Sequence, residues 1–387
     1  MKAHICLVSE QLLPNVLPVI HEKVDHVILL TTSQMVKKCE LLKSFFTERG
    51  KKVSVYNTEA YDFKATLDVC TQVLEKFTDA ELTLNVTGGT KIVALAAWQQ
   101  CWFAASTIRI IYVDTNSNRL LELGGEPASH PLPDNILSVK EHLLCCGKKM
   151  LSGDAPRGEK SHRKVTAELC SLLVGKPALL RKLNGLVSEY DDALKRRRAP
   201  PYCAVEAEQL GEGGEKLCAL LLKGGVATPG MNGAANLNDE ASRFYAKGGW
   251  LEEYVYGVVA DEKIPGLDLR MNVEIEWQGK GNKPTKNELD VVFTWHNRLH
   301  VISCKTSALD QQGRGAPRGK GPLYELDSLS EKVGGLYARS MLVSVHGLNE
   351  ASLERARNLR IEVIAGRQVL CLSSHLEKKW LKREPQR

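Results

Sequence analysis

Through the first third of the chain, short apolar runs rich in β-branched residues alternate with longer stretches of helical period. Residues 4–8, 26–30, 52–56, 82–86 and 108–113 have the length and composition of strands. Residues 33–49 and 64–77, and a stretch opening after Gly89, have the spacing of helices. Strands separated by helices of that length predict a parallel sheet covered on both faces. Ligands of such sheets sit outside the carboxyl ends of the strands.

The pattern changes in the middle. Residues 165–173 and 179–187 read as helices, the glycine- and proline-rich positions after 224 as loops, and the basic run 195–198 as a solvated helix end closing on two prolines. Beyond 246 alternation returns. Residues 270–277 have the period of a half-buried strand, and 287–293 and 299–305 form two apolar runs joined by a short polar connection, the pattern of a hairpin. Residues 323–337 and 353–359 read as helices with a strand at 341–345 between them. The expected organisation is therefore an α/β domain over 1–145, a helical connector over 146–245 and a second α/β domain over 246–387.

Composition narrows the function classes. A chain of 387 residues has room for two or three domains, and 43% apolar with 25% charged residues is the balance of an ordinary globular protein. No run of 18 apolar residues occurs and the N-terminus lacks a secretory leader, so a cytoplasmic protein without a membrane partner is expected. Eleven cysteines, an odd number with no Cys-x-x-Cys pair, argue against structural zinc and for a reducing compartment. A net charge of +6 permits a nucleic-acid partner without demanding one.

The hairpin carries candidate chemistry. Alternate residues of a strand share a face, so Glu288 goes with Asp290, and Ser303 with Lys305. A two-residue turn at His296-Asn297 sets Asp290 opposite Ser303; a turn shifted by one residue sets it opposite Lys305. The ordinary reading is a cross-strand ion pair. The chemical reading is a carboxylate for a hard divalent cation beside a lysine that orients water, which suits phosphodiester hydrolysis.

A second candidate lies at the ends of the first and fourth strands. The first carries Ser9, Gln11 and Asn15, and the fourth carries Thr87-Gly88-Gly89-Thr90-Lys91 leading into a helix. Paired glycines admit an anionic ligand to the backbone, the threonines offer hydroxyls, and Lys91 adds charge at a helix N-terminus. Neither the Walker A spacing nor Gly-x-Gly-x-x-Gly is present. A tight strand-to-helix turn without a ligand is the ordinary alternative.

Both stretches resemble known families. The Val-Thr-Gly-Gly-Thr-Lys segment with the Val-Ser-Glu-Gln first loop resembles the CARF domain, a Rossmann-like sensor of cyclic oligoadenylates. The Asn-Glu-Leu-Asp hairpin ending in Cys-Lys, together with Gly-Gly-Trp-Leu-Glu-Glu-Tyr-Val upstream, resembles the PD-(D/E)XK, or restriction-endonuclease-like, fold. In this order they resemble the CARF–PD-(D/E)XK effector nucleases of type III CRISPR antiviral defence. That resemblance implies a homodimer that binds one ring, cyclic tetra-adenylate above all, and cleaves single-stranded DNA or RNA, or nicks duplex DNA, with Mn²⁺ or Mg²⁺. It implies ring contacts from Ser9, Gln11, Asn15, Thr87, Gly88, Gly89, Thr90 and Lys91. Thr32, Ser33 and Asp114 join that set, with turn and cap duty as their ordinary reading.

For the nuclease the resemblance implies Asp290 and Glu252, or failing it Glu253, as metal ligands, with the Cys304 carbonyl beside them and Lys305 positioning the water. Arg314, Arg318 and Lys320, in a basic stretch after Lys305, are expected to touch substrate phosphates. Ser303 departs from the pattern, since an acidic residue is usual there. A serine hydroxyl is a weak neutral ligand, and Glu288 or Glu252 is left to make up the lost charge. Two alternatives stay open: a catalytically impaired, ligand-regulated nucleic-acid-binding protein, and a ring nuclease that degrades its own messenger at Lys91.

Overall fold

The computed structural model describes residues 1–104, 108–124, 126, 128–153, 160–278, 283–308 and 320–381. It divides into two units. The first comprises Met1–Lys149 with Thr294–Leu299 and Lys332–Tyr337, and the second comprises the rest.

In the first unit the expected alternation is present: Lys2–Leu7 (β1), Leu13–His21 (α1), His26–Thr31 (β2), Val36–Thr47 (α2), Lys52–Asn57 (β3), Phe63–Lys76 (α3), Glu81–Asn85 (β4), Lys91–Ala104 (α4) and Arg109–Asp114 (β5). The sheet order is β3-β2-β1-β4-β5, parallel throughout, and two antiparallel strands, Arg119–Glu122 (β6) and Ala128–Pro131 (β7), extend it beyond β5. Helix Val139–Cys145 (α5) follows, its start closed by a capping box between Ser138 and Glu141.

Strands β1 and β2 are buried on both sides, as the interior of a doubly covered parallel sheet requires. Cys6, Val27 and Leu29 face a core with α1 and α2, while Ile5, Leu7, Ile28 and Leu30 face a core with α3 and α4. The strand order reverses between β1 and β4, which puts the ligand crevice of this fold class at their carboxyl ends.

Asn297, on Thr294–Leu299, is 1% exposed and is built into this unit. Its Nδ2 donates to Asn118 Oδ1 and to Pro133 O, each at 2.7 Å, and its Oδ1 accepts from Ile136 N–H at 2.9 Å. Its backbone N–H donates to Asp134 O at 2.8 Å, and its carbonyl lies 3.0 Å from His142 Nε2.

A short strand, Lys149–Met150 (β8), ends the first unit's opening segment and begins the second unit, where the helices Lys160–Gly175 (α6) and Pro177–Lys195 (α7) follow. Helices are joined in the region 146–245 by a small antiparallel sheet of Cys203–Val205 (β9), Thr228–Pro229 (β10) and Ala235–Leu237 (β11), with Ala207–Leu210 (α8) and Gly214–Lys223 (α9) between its first two strands. Glu240–Phe244 (α10) and one π-helical turn lead into Trp250–Asp261 (α11). A six-stranded mixed sheet follows, in the order β16-β15-β14-β13-β12-β8. Its members after β8 are Leu269–Gln278 (β12), Pro284–Trp295 (β13), Arg298–Lys305 (β14), Arg339–Ser344 (β15) and Ile361–Ala365 (β16). Lys320–Gly334 (α12) and Glu350–Asn358 (α13) connect the last three strands, and Leu372–His375 (α14) runs into a π-helical turn over Leu376–Trp380 at the end of the chain's described part.

Candidate active site

Strands β13 and β14 meet in a turn whose two central residues, His296 and Asn297, have φ of 51° and 54°. Two left-handed residues are what a two-residue I′ hairpin demands, and Asn tolerates that region better than most. The turn therefore takes the register that sets Asp290 opposite Ser303. Asp290 Oδ2 accepts hydrogen bonds from Ser303 Oγ at 3.1 Å and from the Cys304 N–H at 2.7 Å, with Lys305 Nζ 3.5 Å away. Burial works against the Lys305 ammonium, but Asp290, then Cys304 and Glu325, raise its pKa above the ordinary lysine value. Lys305 is thus a cation at neutral pH, suited to hold a water or a developing negative charge rather than to take a proton.

Helix α11 brings the upstream glutamate. A Cβ on Gly248 would lie 3.3 Å from Thr306 Oγ1, and Thr306 Oγ1 donates to Lys247 O at 2.9 Å, so the end of β14 is tied against the turn preceding the helix. Glu252 is mostly buried, and that burial, together with the charges of Asp290 and Glu288, pushes its pKa up to about 8. Its Oε2 is buried with no hydrogen-bond partner. Glu253, the other candidate, turns elsewhere: its Oε2 is 2.7 Å from His162 Nε2, whose Nδ1 is 3.0 Å from Gly224 O.

A cavity of about 230 Å³ opens beside the hairpin, lined by Glu288, Asp290, Ser303 and Lys305 and, from α12, by Glu325. Among the described residues no three His, Cys, Asp or Glu side chains stand close enough to hold a metal ion. The oxygen donors nevertheless fit a hard cation that keeps several waters, because an orphaned carboxylate oxygen and mutually repelling acids are relieved by positive charge. Arg314 and Arg318 lie outside the described residues, as does the side chain of Lys320.

The crevice of the first unit gathers part of its expected set. A Cβ on Gly88 would lie 2.0 Å from Leu7 O and 3.2 Å from Ser9 Oγ, so only glycine lets the β4 loop lie against the end of β1. Gly89 has φ of 75°, and Lys91 is exposed at the start of α4. Thr87 Oγ1 donates to Asn85 Oδ1 at 2.6 Å and accepts from Val113 N–H at 2.8 Å. Thr90 Oγ1 donates to Ala60 O at 2.5 Å and accepts from Val93 N–H at 3.2 Å. Both hydroxyls hold the loop itself.

Asn15 is fully buried, donating to Leu7 O at 2.8 Å and accepting from Asn85 Nδ2 at 3.3 Å, so it joins the two strand ends from beneath. Gln11 Oε1 sits 2.8 Å from where a Gly335 Cβ would be. Thr32 is buried and makes no side-chain cap, Ser33 is exposed, and Asp114 accepts from Asn116 N–H at 3.0 Å as a turn residue.

The endonuclease domain of the Card1-like family matches residues 238–383, and the Card1 CARF domain matches residues 3–142. Can2 from Sulfobacillus thermosulfidooxidans, solved in complex with cyclic tetra-adenylate, is 30% identical, with 99% of this chain and 100% of that chain covered at a TM-score of 0.75. Protein VC1899 from Vibrio cholerae shares the fold at a TM-score of 0.81, with 22% identity over 97% of each chain. A type III CRISPR defence DNA nuclease activated by cyclic oligoadenylate shares it at 0.54, with 20% identity over 92% of this chain and 51% of its own. No curated protein sequence matches.

Proposed function

Since the chain belongs to the Card1-like family of CARF-domain endonucleases, we propose that it is a metal-dependent nuclease switched on by a cyclic oligoadenylate, cyclic tetra-adenylate first among them. The observation that carries the reading is the convergence of Ser303, Cys304 and Lys305 on one oxygen of Asp290, with Glu252 brought up by α11. Asp290 and Glu252 would hold Mn²⁺ or Mg²⁺. A bound divalent cation polarises the scissile phosphodiester and acidifies the attacking water. Lys305 orients that water and meets the charge that develops on the phosphate, while the Cys304 N–H keeps Asp290 turned toward the site.

In the first unit, Gly88 and Gly89 offer backbone to the ring's phosphates and Lys91 offers charge at the α4 N-terminus. A ring with two-fold symmetry suits a two-fold dimer. The exposed Leu95, Trp102 and Phe103 on α4 give a second copy an apolar face to cover. All eleven cysteines are unpaired, in keeping with a reducing cytoplasm, and among the described residues no helix is long and apolar enough to cross a membrane.

The test is cleavage of labelled single-stranded DNA and RNA with Mn²⁺ or Mg²⁺, with and without cyclic tetra-adenylate, beside a Lys305→Ala control. Cutting that needs both ring and metal and is lost in the control supports the reading and identifies the polymer. The want of a preformed three-carboxylate group among the described residues favours one alternative, a ligand-regulated nucleic-acid-binding protein. Tight ring binding with no cutting under either metal selects it.

A further inference from the structure

Helix α12 turns Pro322, Glu325, Leu326 and Leu329 toward the cavity that Asp290, Ser303 and Lys305 line from the sheet. These positions are spaced i, i+3, i+4, i+7, one face of a helix. That face is otherwise apolar, and Leu326 is 3% exposed. A glutamate within such a stripe is carried to the rim of the cavity that Asp290 and Lys305 line. Glu325 makes no hydrogen bond or ion pair with the described residues, yet its charge is felt at Lys305.

Across the cavity the hairpin is short of one charge. Ser303 occupies the position facing Asp290, and its hydroxyl is already engaged as a donor to Asp290 Oδ2. Glu252 contributes an oxygen that is buried and has no hydrogen-bond partner, an independent sign that a positive group belongs at this end of the sheet. We propose that Glu325 is the third acidic side chain of the cation site, taking from α12 the part that an acidic residue at position 303 would play from β14. Glu325 is exposed and carries three rotatable side-chain bonds, so it reaches the cation directly or through a coordinated water. The inference rests on the nuclease reading above.

The test uses the full chain and two readouts: Mn²⁺ binding, followed by loss of the free-ion signal in electron paramagnetic resonance, and ring-dependent cleavage. Glu325→Gln is expected to weaken Mn²⁺ binding by about tenfold or more and to lower cleavage at least as much. Adding Ser303→Glu to Glu325→Gln is expected to bring both back to within a few-fold of the parent. Glu325→Gln that binds and cuts like the parent overturns the proposal, and so does a loss that Ser303→Glu leaves unrepaired. A parent that never cuts overturns the nuclease reading instead, and the Mn²⁺ titration still decides the place of Glu325. Thermal melts of each variant separate a lost ligand from a lost fold.

Discussion

His162 Nε2 lies 2.7 Å from Glu253 Oε2, and this pair decides which of two adjacent glutamates turns toward Asp290. Consecutive helical residues point about 100° apart, so once Glu253 is held on one side of α11, Glu252 faces the hairpin. Glu253→Gln is expected to leave metal-dependent cleavage within a few-fold of the parent while lowering stability by about 1–3 kcal/mol, because a buried imidazole loses its charged partner. Glu252→Gln is expected to do the reverse. Cleavage rates, Mn²⁺ affinities and urea midpoints for the two variants check the assignment; a large loss of Mn²⁺ affinity and cleavage in Glu253→Gln at unchanged stability would sink it.

Metal binding should be proton-linked. Glu252 is held protonated up to about pH 8 by burial and by Asp290 and Glu288, so a cation that needs its carboxylate must displace a proton. Apparent Mn²⁺ affinity is expected to rise by up to about tenfold per pH unit below that value and to level off above it. The metal-free protein shows the other side of the same linkage. Its Glu252 is protonated in both states below the ordinary value of 4.5, but between there and about 8 the unfolded carboxyl ionises first, so stability falls as pH rises. The fall is at most about 5 kcal/mol, and Mn²⁺ offsets it. Mn²⁺ titrations and denaturant melts across this range check both slopes; affinity independent of pH would remove Glu252 from the ligand set.

The crevice of the first unit depends on glycine for steric reasons. Gly88→Ala places a methyl 2.0 Å from Leu7 O, backbone that cannot swing aside, so β1 and the β4 loop must separate. Cyclic tetra-adenylate binding is expected to fall together with the melting temperature. Lys91→Ala, on an exposed side chain, is expected to weaken ring binding without moving that temperature, and to reduce its salt dependence. Calorimetric titration with the ring at two ionic strengths distinguishes the two; unchanged binding in both variants would move the ring site elsewhere.

Glu22 is the acid-sensitive point of that unit. Burial opposes its ionisation, but His4 at 2.9 Å and Arg109 at 2.8 Å more than offset this and hold its pKa at about 2. The stabilisation is present above the ordinary value of 4.5 and is lost as pH falls toward 2. Glu22→Gln is expected to cost about 2–3 kcal/mol at neutral pH and to flatten the acid limb of unfolding. A variant whose acid limb matches that of the parent would contradict this.

Much of this architecture is legible in the pattern of the chain. The five parallel strands stand where the apolar runs put them, and so does the hairpin, but the choice between its two registers comes from the left-handed φ of both His296 and Asn297. What escaped has physical reasons. Strands β9 and β11 are three residues each, too short for a period to register among the glycines around them, and β6 and β7, of four residues each, are hardly longer. Glu325 lies on a helix that the pattern does predict, and its apolar neighbours mark a face of that helix, but the pattern does not say that this face meets Asp290 and Lys305. His162 is 91 residues from its partner and carries no motif at all.

Asn297 sets a limit on how the molecule can be cut and recombined. The polar groups of Asn118, Pro133, Ile136 and His142 find their partners on a turn more than 150 residues further along the chain. A fragment ending at Lys149 would leave those groups to water and lose the turn that seals them, so the sensor is not a cassette in the sense that its sequence limits suggest. A chimera that exchanges this unit between relatives must carry Thr294–Leu299 with it. Mutations at that turn will behave genetically as lesions of the sensor, although they lie within the sequence of the nuclease.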